Sequence, residues 1–139
     1  MMTGGTGERP ESAASELEER ARALRCLYRI DEILGRRDIT TDELVRALLA
    51  AIPEGFTHPE VCGTRARLRD RRFASSDFVP TPWLLTVPLV VQGETTGELE
   101  VYYTEPRAQR DQGPFLDEER RLLETIAEHL ASVLARRRL

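Results

Sequence analysis

The sequence predicts an α+β domain in which helices collect on one face of a single antiparallel sheet. Two observations carry that prediction. Apolar residues recur at steps of three and four in two segments near the start of the chain and in one at its end. Between these segments apolar and polar residues alternate, and two of the alternating stretches flank a turn at Gly93 and Glu94. With 139 residues, 40% apolar and 32% charged, the chain suits one domain able to bury a core without metal or disulfide support.

Residues 1–11 lack large apolar side chains and carry Gly and Pro, so they read as a disordered tail before a single domain over 12–137. A first helix starts at Ser12 or Ser15, either of which suits an N-cap. Its apolar residues fall in two series, Leu17, Ala21, Leu24, Tyr28 and Leu27, Ile30, Leu34, and it ends near Gly35. A second helix follows Thr40 or Thr41, with Asp42 and Glu43 in its first turn, Leu44, Ala47, Leu48 and Ala51 as its stripe, and Pro53 stopping it.

Over residues 60–70 the period changes to two. Cys62, Thr64, Ala66 and Leu68 take one side of a half-buried strand, and Arg65, Arg67 and Arg69 take the other. A short strand is expected over 72–75, then a Pro-rich loop up to Trp83. Residues 84–92 read as a strand that Pro88 pushes toward a sheet edge or a bulge, because proline cannot donate to the ladder. Residues 95–103 form its partner, with Leu99, Val101 and Tyr103 on one face and Glu98, Glu100 and Tyr102 on the other. The last helix spans about 116–137, acidic in its first turn and basic in its last, with Leu116, Leu123, Ile126, Leu130 and Val133 as its stripe.

Charge and composition exclude several classes of function. Twenty basic residues against 24 acidic ones give a net charge of -4, which argues against wrapping nucleic acid or docking on an anionic membrane. All the basic residues are Arg, but they are scattered and outnumbered, which fits a GC-rich genome better than a phosphate-binding role. Two cysteines, Cys26 and Cys62, do not make a disulfide scaffold, and no apolar run reaches the roughly 18 residues of a membrane span. A reducing cytoplasm is the expected location. The two histidines, His58 and His129, have no second ligand at i+3 or i+4, so neither a metal nor another cofactor is expected. No phosphate loop, nucleophile elbow or Cys-His pair is present, and an enzyme is not expected.

Four blocks carry a family resemblance: His58-Pro59-Glu60, Phe78 with Thr81-Pro82-Trp83, Gly97-Glu98-Leu99-Glu100-Val101, and Gly113-Pro114-Phe115-Leu116-Asp117-Glu118-Glu119-Arg120. Together they resemble the GAF-like domains of bacterial sensor histidine kinases and related signalling proteins, over about residues 24–136. The resemblance implies a sensory or regulatory domain, commonly dimeric through its terminal helices, with a sheet of six or fewer strands. The chain departs from the cyclic-nucleotide-binding members, whose recognition set needs a lysine, and from the bilin-binding members, because Cys62 is followed by Gly63 and not by His. Only residues 75–83 stand where larger members insert lid helices, so a reduced lid is expected.

Two readings stand for the charged sheet face. Arg65 and Arg67 facing Glu98 and Glu100 make a solvated salt-bridged surface, or else the same face, roofed by Phe78 and Trp83, grips an anionic ligand. The ligand-binding candidates are Arg65, Arg67, Phe78, Trp83, Glu98 and Tyr102, with Trp83 equally readable as a core plug at the sheet margin. The dimer-interface candidates are Leu17, Leu24 and Tyr28 on the first helix and Leu123, Ile126, Leu130 and Val133 on the last. The expected function is a cytoplasmic sensory domain of the two-component type that binds a small ligand and transmits through paired helices to an effector such as a histidine kinase. The alternative is a ligand-free dimeric adaptor on the same scaffold.

Overall fold

The computed structural model describes residues 10–75 and 80–137, with side chains from residue 13 onward. Helix α1 (Pro10–Leu34) starts two residues before Ser12, so residues 10 and 11 are helical and only residues 1–9 of the expected tail lie outside the described chain. Helix α2 (Thr41–Ala51) opens with a reciprocal cap. The Thr40 hydroxyl accepts from the Glu43 N–H at 3.1 Å, and the Glu43 carboxylate accepts from the Thr40 N–H at 2.8 Å. Such a cap contributes about 1 kcal/mol. Past Ala51 the chain tightens into a 3-10 turn, Ile52–Gly55, because Pro53 has no N–H to continue the α ladder.

Four strands follow: β1 (Cys62–Leu68), β2 (Arg71–Ala74), β3 (Leu84–Val91) and β4 (Glu94–Tyr103). They form one antiparallel sheet in the order β2-β1-β4-β3. β3 lies at an edge and its register breaks between Leu89 and Val90, so Pro88 has both of the escapes open to a proline in a strand. The β3–β4 turn is made by Gln92 (φ 52°) and Gly93 (φ 82°), one residue earlier than expected. Two successive positive φ angles give the turn whose twist matches a hairpin, and Gly93 meets that demand without strain.

The period-2 pattern sorts the faces as read. Ala66, Leu68, Leu85, Val87, Leu89, Leu99, Val101 and Tyr103 are buried on the inner face. Helix α3 (Asp117–Arg136) packs along β3, and α2 packs against β1 and β2. Helix α1 makes its main contacts with α2, α3 and the 3-10 turn, and so forms an outer row on the helical layer. Cys26, Ile30, Ile33 and Leu34 are its buried side.

This layering corrects one expectation. Leu123, Ile126, Leu130 and Val133 of α3 are buried in the core of the single chain, between 0% and 6% exposed, and present no surface to a second copy. A stripe with heptad-like steps is also what a helix needs to lie on a sheet, and here the sheet has used it.

Candidate functional site

The antiparallel register sets Arg65 directly opposite Glu100 and Arg67 directly opposite Glu98 on the outer face of the sheet. Both pairs are two-pronged. Arg65 donates from Nε to Glu100 Oε1 at 2.8 Å and from Nη2 to Oε2 at 3.0 Å. Arg67 donates from Nε to Glu98 Oε2 and from Nη2 to Oε1, both at 2.9 Å, and from Nη1 to the Arg69 carbonyl at 2.7 Å. The Thr86 hydroxyl of β3 adds a long bond to Glu100 at 3.4 Å.

Strand β2 brings Arg72 opposite Arg67, so Glu98 lies in the field of three guanidiniums. The hydrogen bonds from Arg67 and the charges of Arg67, Arg65 and Arg72 hold the Glu98 carboxyl below the usual glutamate range, against a smaller opposing effect of burial. Glu98 in turn pushes Arg67 further up. An open groove of about 480 Å³ runs over this ladder, lined by Arg65, Arg67, Arg72, Ala74, Glu98 and Glu100. Chemically it offers forked donors for a carboxylate or phosphate, but the Arg65 and Arg67 forks already hold glutamates that such a ligand must displace.

Of the residues expected to bind ligand, Arg65, Arg67 and Glu98 come together in this groove. Tyr102 does not join them. It is only 1% exposed, and its ring folds over Gly63, its cross-strand partner. A Cβ on Gly63 would sit 2.3 Å from that ring, so the missing side chain is what makes the slot. Trp83 packs against the hydrophobic core at the sheet margin and does not line the groove, the plug arrangement rather than the lid. Phe78 lies outside the described residues.

One buried acid had no signal in the sequence beyond its place in a helix's first turn. Glu119, 2% exposed, accepts at Oε2 from the Thr57 N–H and hydroxyl, both at 2.7 Å, and at Oε1 from the Leu116 N–H at 2.8 Å. It ties the segment entering β1 to the start of α3, and its carboxylate is offset by donors at the helix's positive end. Burial pushes both thiols up to about 12, with Glu54 adding to the effect at Cys26 and Glu119 and Glu60 adding to it at Cys62. Both cysteines are free. His129 Nδ1 lies 2.7 Å from an Asp31 carboxylate oxygen, joining α3 to α1. Among the described residues no three His, Cys, Asp or Glu side chains group to hold a metal ion, and no helix is long and apolar enough to cross a membrane.

The remaining sequence-derived surface is on α1. Leu17, Leu24 and Tyr28 are 65%, 50% and 70% exposed, pointing away from the core that Cys26 and Ile30 occupy.

A four-stranded antiparallel sheet with its helices gathered on one face and a long outer first helix is the build of a GAF-like α+β domain. The GAF domain family model matches residues 13–134, and the chain belongs to the GAF domain family. No curated protein and no solved structure matches it significantly.

Proposed function

We propose that this GAF domain is a regulatory signalling module, not a catalyst, that pairs with a second copy of itself through α1 and passes a conformational bias to a partner protein. The observation that carries this reading is the exposed seam on α1. Ala14, Leu17, Ala21, Leu24 and Tyr28 follow at alternating steps of three and four, the spacing of a two-helix seam, and Leu17, Leu24 and Tyr28 stand in water. Burying each large side chain against a partner helix is worth about 2 kcal/mol. The effector would be a histidine kinase or another cytoplasmic regulator, biased by whichever packing of the helices is favoured.

Size-exclusion chromatography with light scattering tests the pairing. The wild type is expected to be a dimer, and Leu24→Glu with Tyr28→Glu a monomer with an unchanged circular-dichroism spectrum. A monomeric wild type, or a dimer that survives both changes, overturns the reading.

A second reading, small-ligand sensing, is favoured by the groove over the Arg-Glu ladder. A carboxylate or phosphate ligand would exchange with Glu98 or Glu100 for the same forks, trading one charge-assisted pair for another. Native mass spectrometry of gently purified protein checks it. Extra mass that disappears in Arg67→Ala supports sensing at this face, and a bare protein favours an adaptor without a ligand.

A further inference from the structure

The C-terminal ends of α1 and α3 lie side by side around a groove of about 590 Å³. Arg36, Arg37, Arg136 and Arg137 line it, with Leu34 and Val133, and among the described residues no carboxylate does. The groove over the sheet face and three further grooves each carry at least one glutamate. In a chain of net charge -4, four cations gather here without an acid among the described residues that line the groove.

A cation beside a helix C-terminus has a bland explanation, since it satisfies the last carbonyls. Arg137 binds instead to the link that follows α1. Its Nη2 donates to the Arg36 carbonyl and its Nη1 to the Ile39 carbonyl, both at 2.9 Å, with a longer bond from Nη1 to the Thr41 hydroxyl. These bonds clasp the end of α3 to the α1–α2 link and fix the groove's shape. Arg36, Arg37 and Arg136 make no such side-chain bond and no ion pair among the described residues. The acids of the neighbouring segment are engaged elsewhere, Asp42 by Arg71 and Glu43 by the Thr40 cap, and Asp38 is exposed and does not line the groove.

We propose that this groove binds a small soluble anion bearing two or more phosphate groups, held by Arg36, Arg37 and Arg136 across the ends of α1 and α3. Guanidinium forks match phosphate oxygens two at a time, and three forks on two elements need more than one phosphate to engage them together. The volume falls within the range of small-molecule sites, roughly 300–1,000 Å³. Mutual repulsion of the three cations is relieved on binding, so affinity falls as salt screens the site. An anion bridging these ends fastens α3 to the end of α1, the helix whose earlier turns the proposed pairing uses.

The test is thermal unfolding and titration calorimetry with inorganic tripolyphosphate, ionic strength being held constant with sodium chloride. The wild type is expected to show a saturable rise in Tm, as ligand binding to the folded state requires. Arg36→Ala with Arg136→Ala should bind about tenfold more weakly or worse, whereas the charge-matched control Arg22→Ala with Arg110→Ala should respond as the wild type does. Each variant's ligand-free Tm separates lost binding from lost folding, and Arg37→Ala alone supplies a milder reading if the double variant is unstable. An equal response in the double variant, or a response that chloride reproduces, overturns the site. Sedimentation with anionic phospholipid vesicles in the absence of any response to tripolyphosphate overturns the soluble ligand in favour of a lipid headgroup.

Discussion

Arg67 on β1 and Glu98 on β4 stand directly opposite each other and meet through two parallel hydrogen bonds of 2.9 Å. One strand repeat away Arg65 and Glu100 do the same, so the outer face is a ladder of forked ion pairs set by register alone. The same alternation that faces four charges outward faces Ala66, Leu99 and Val101 into the core.

That ladder gives the fold a pH dependence. The folded-state value of Glu98 is depressed, so its stabilising contribution is fully present above the ordinary glutamate value, about 4.3, and is lost as pH falls through the lower folded value. Glu60 is shifted in the same direction by its own N–H and by Arg107. Glu98→Gln removes only the first contribution, so its Tm should fall less steeply than that of the wild type on acidification below about pH 5. Thermal melts across that range check it, and parallel curves would contradict it.

The two apolar stripes of the helices should behave oppositely. Ile126 and Leu130 are 0% and 1% exposed, and replacing either by Ala should cost about 2–5 kcal/mol in denaturant unfolding. Leu17→Ala, on the exposed side of α1, should leave the stability of a single chain within about 0.5 kcal/mol.

Glu119 is expected to be a structural acid. Glu119→Ala leaves the Thr57 and Leu116 N–H donors without their acceptor in a buried place, at a cost of about 1–3 kcal/mol. Hydrogen exchange should locate the loss at the Thr57 amide and the first turn of α3. Unchanged protection there would refute the tie.

The thiols should be quiet. With values near 12, Cys26 and Cys62 are almost wholly protonated at about pH 8, and Cys26 is buried as well. Iodoacetamide should label neither in the folded protein and both in denaturant, as intact mass spectrometry would show. Rapid labelling of Cys62 in the folded state would reveal an activated thiol.

The strand faces were legible in the sequence because a period of two leaves no choice: once Leu99 and Val101 go inward, Glu98 and Glu100 go outward. Pro88 announced an edge or a bulge, and β3 has both. The Arg-Glu pairing was legible only conditionally, since it depends on β1 and β4 being neighbours. Tyr102 was misplaced among the ligand residues because the slot that buries it is made by a glycine on another strand. Glu119 gave no signal for a related reason, as its donors at Thr57 come from 62 residues away.

Local periodicity and capping determined the helices, the strands, their faces and the α+β class, because those depend on residues only a few positions apart. Only the tertiary structure decided that α3 spends its stripe on the sheet while α1 keeps Leu17, Leu24 and Tyr28 in water. It alone gathered two distant arginine pairs, Arg36 with Arg37 and Arg136 with Arg137, around one groove in an acidic chain. Amphipathic spacing says that a surface must be covered, but which partner covers it, and which charges meet across space, depends on contacts between distant segments that the spacing does not encode.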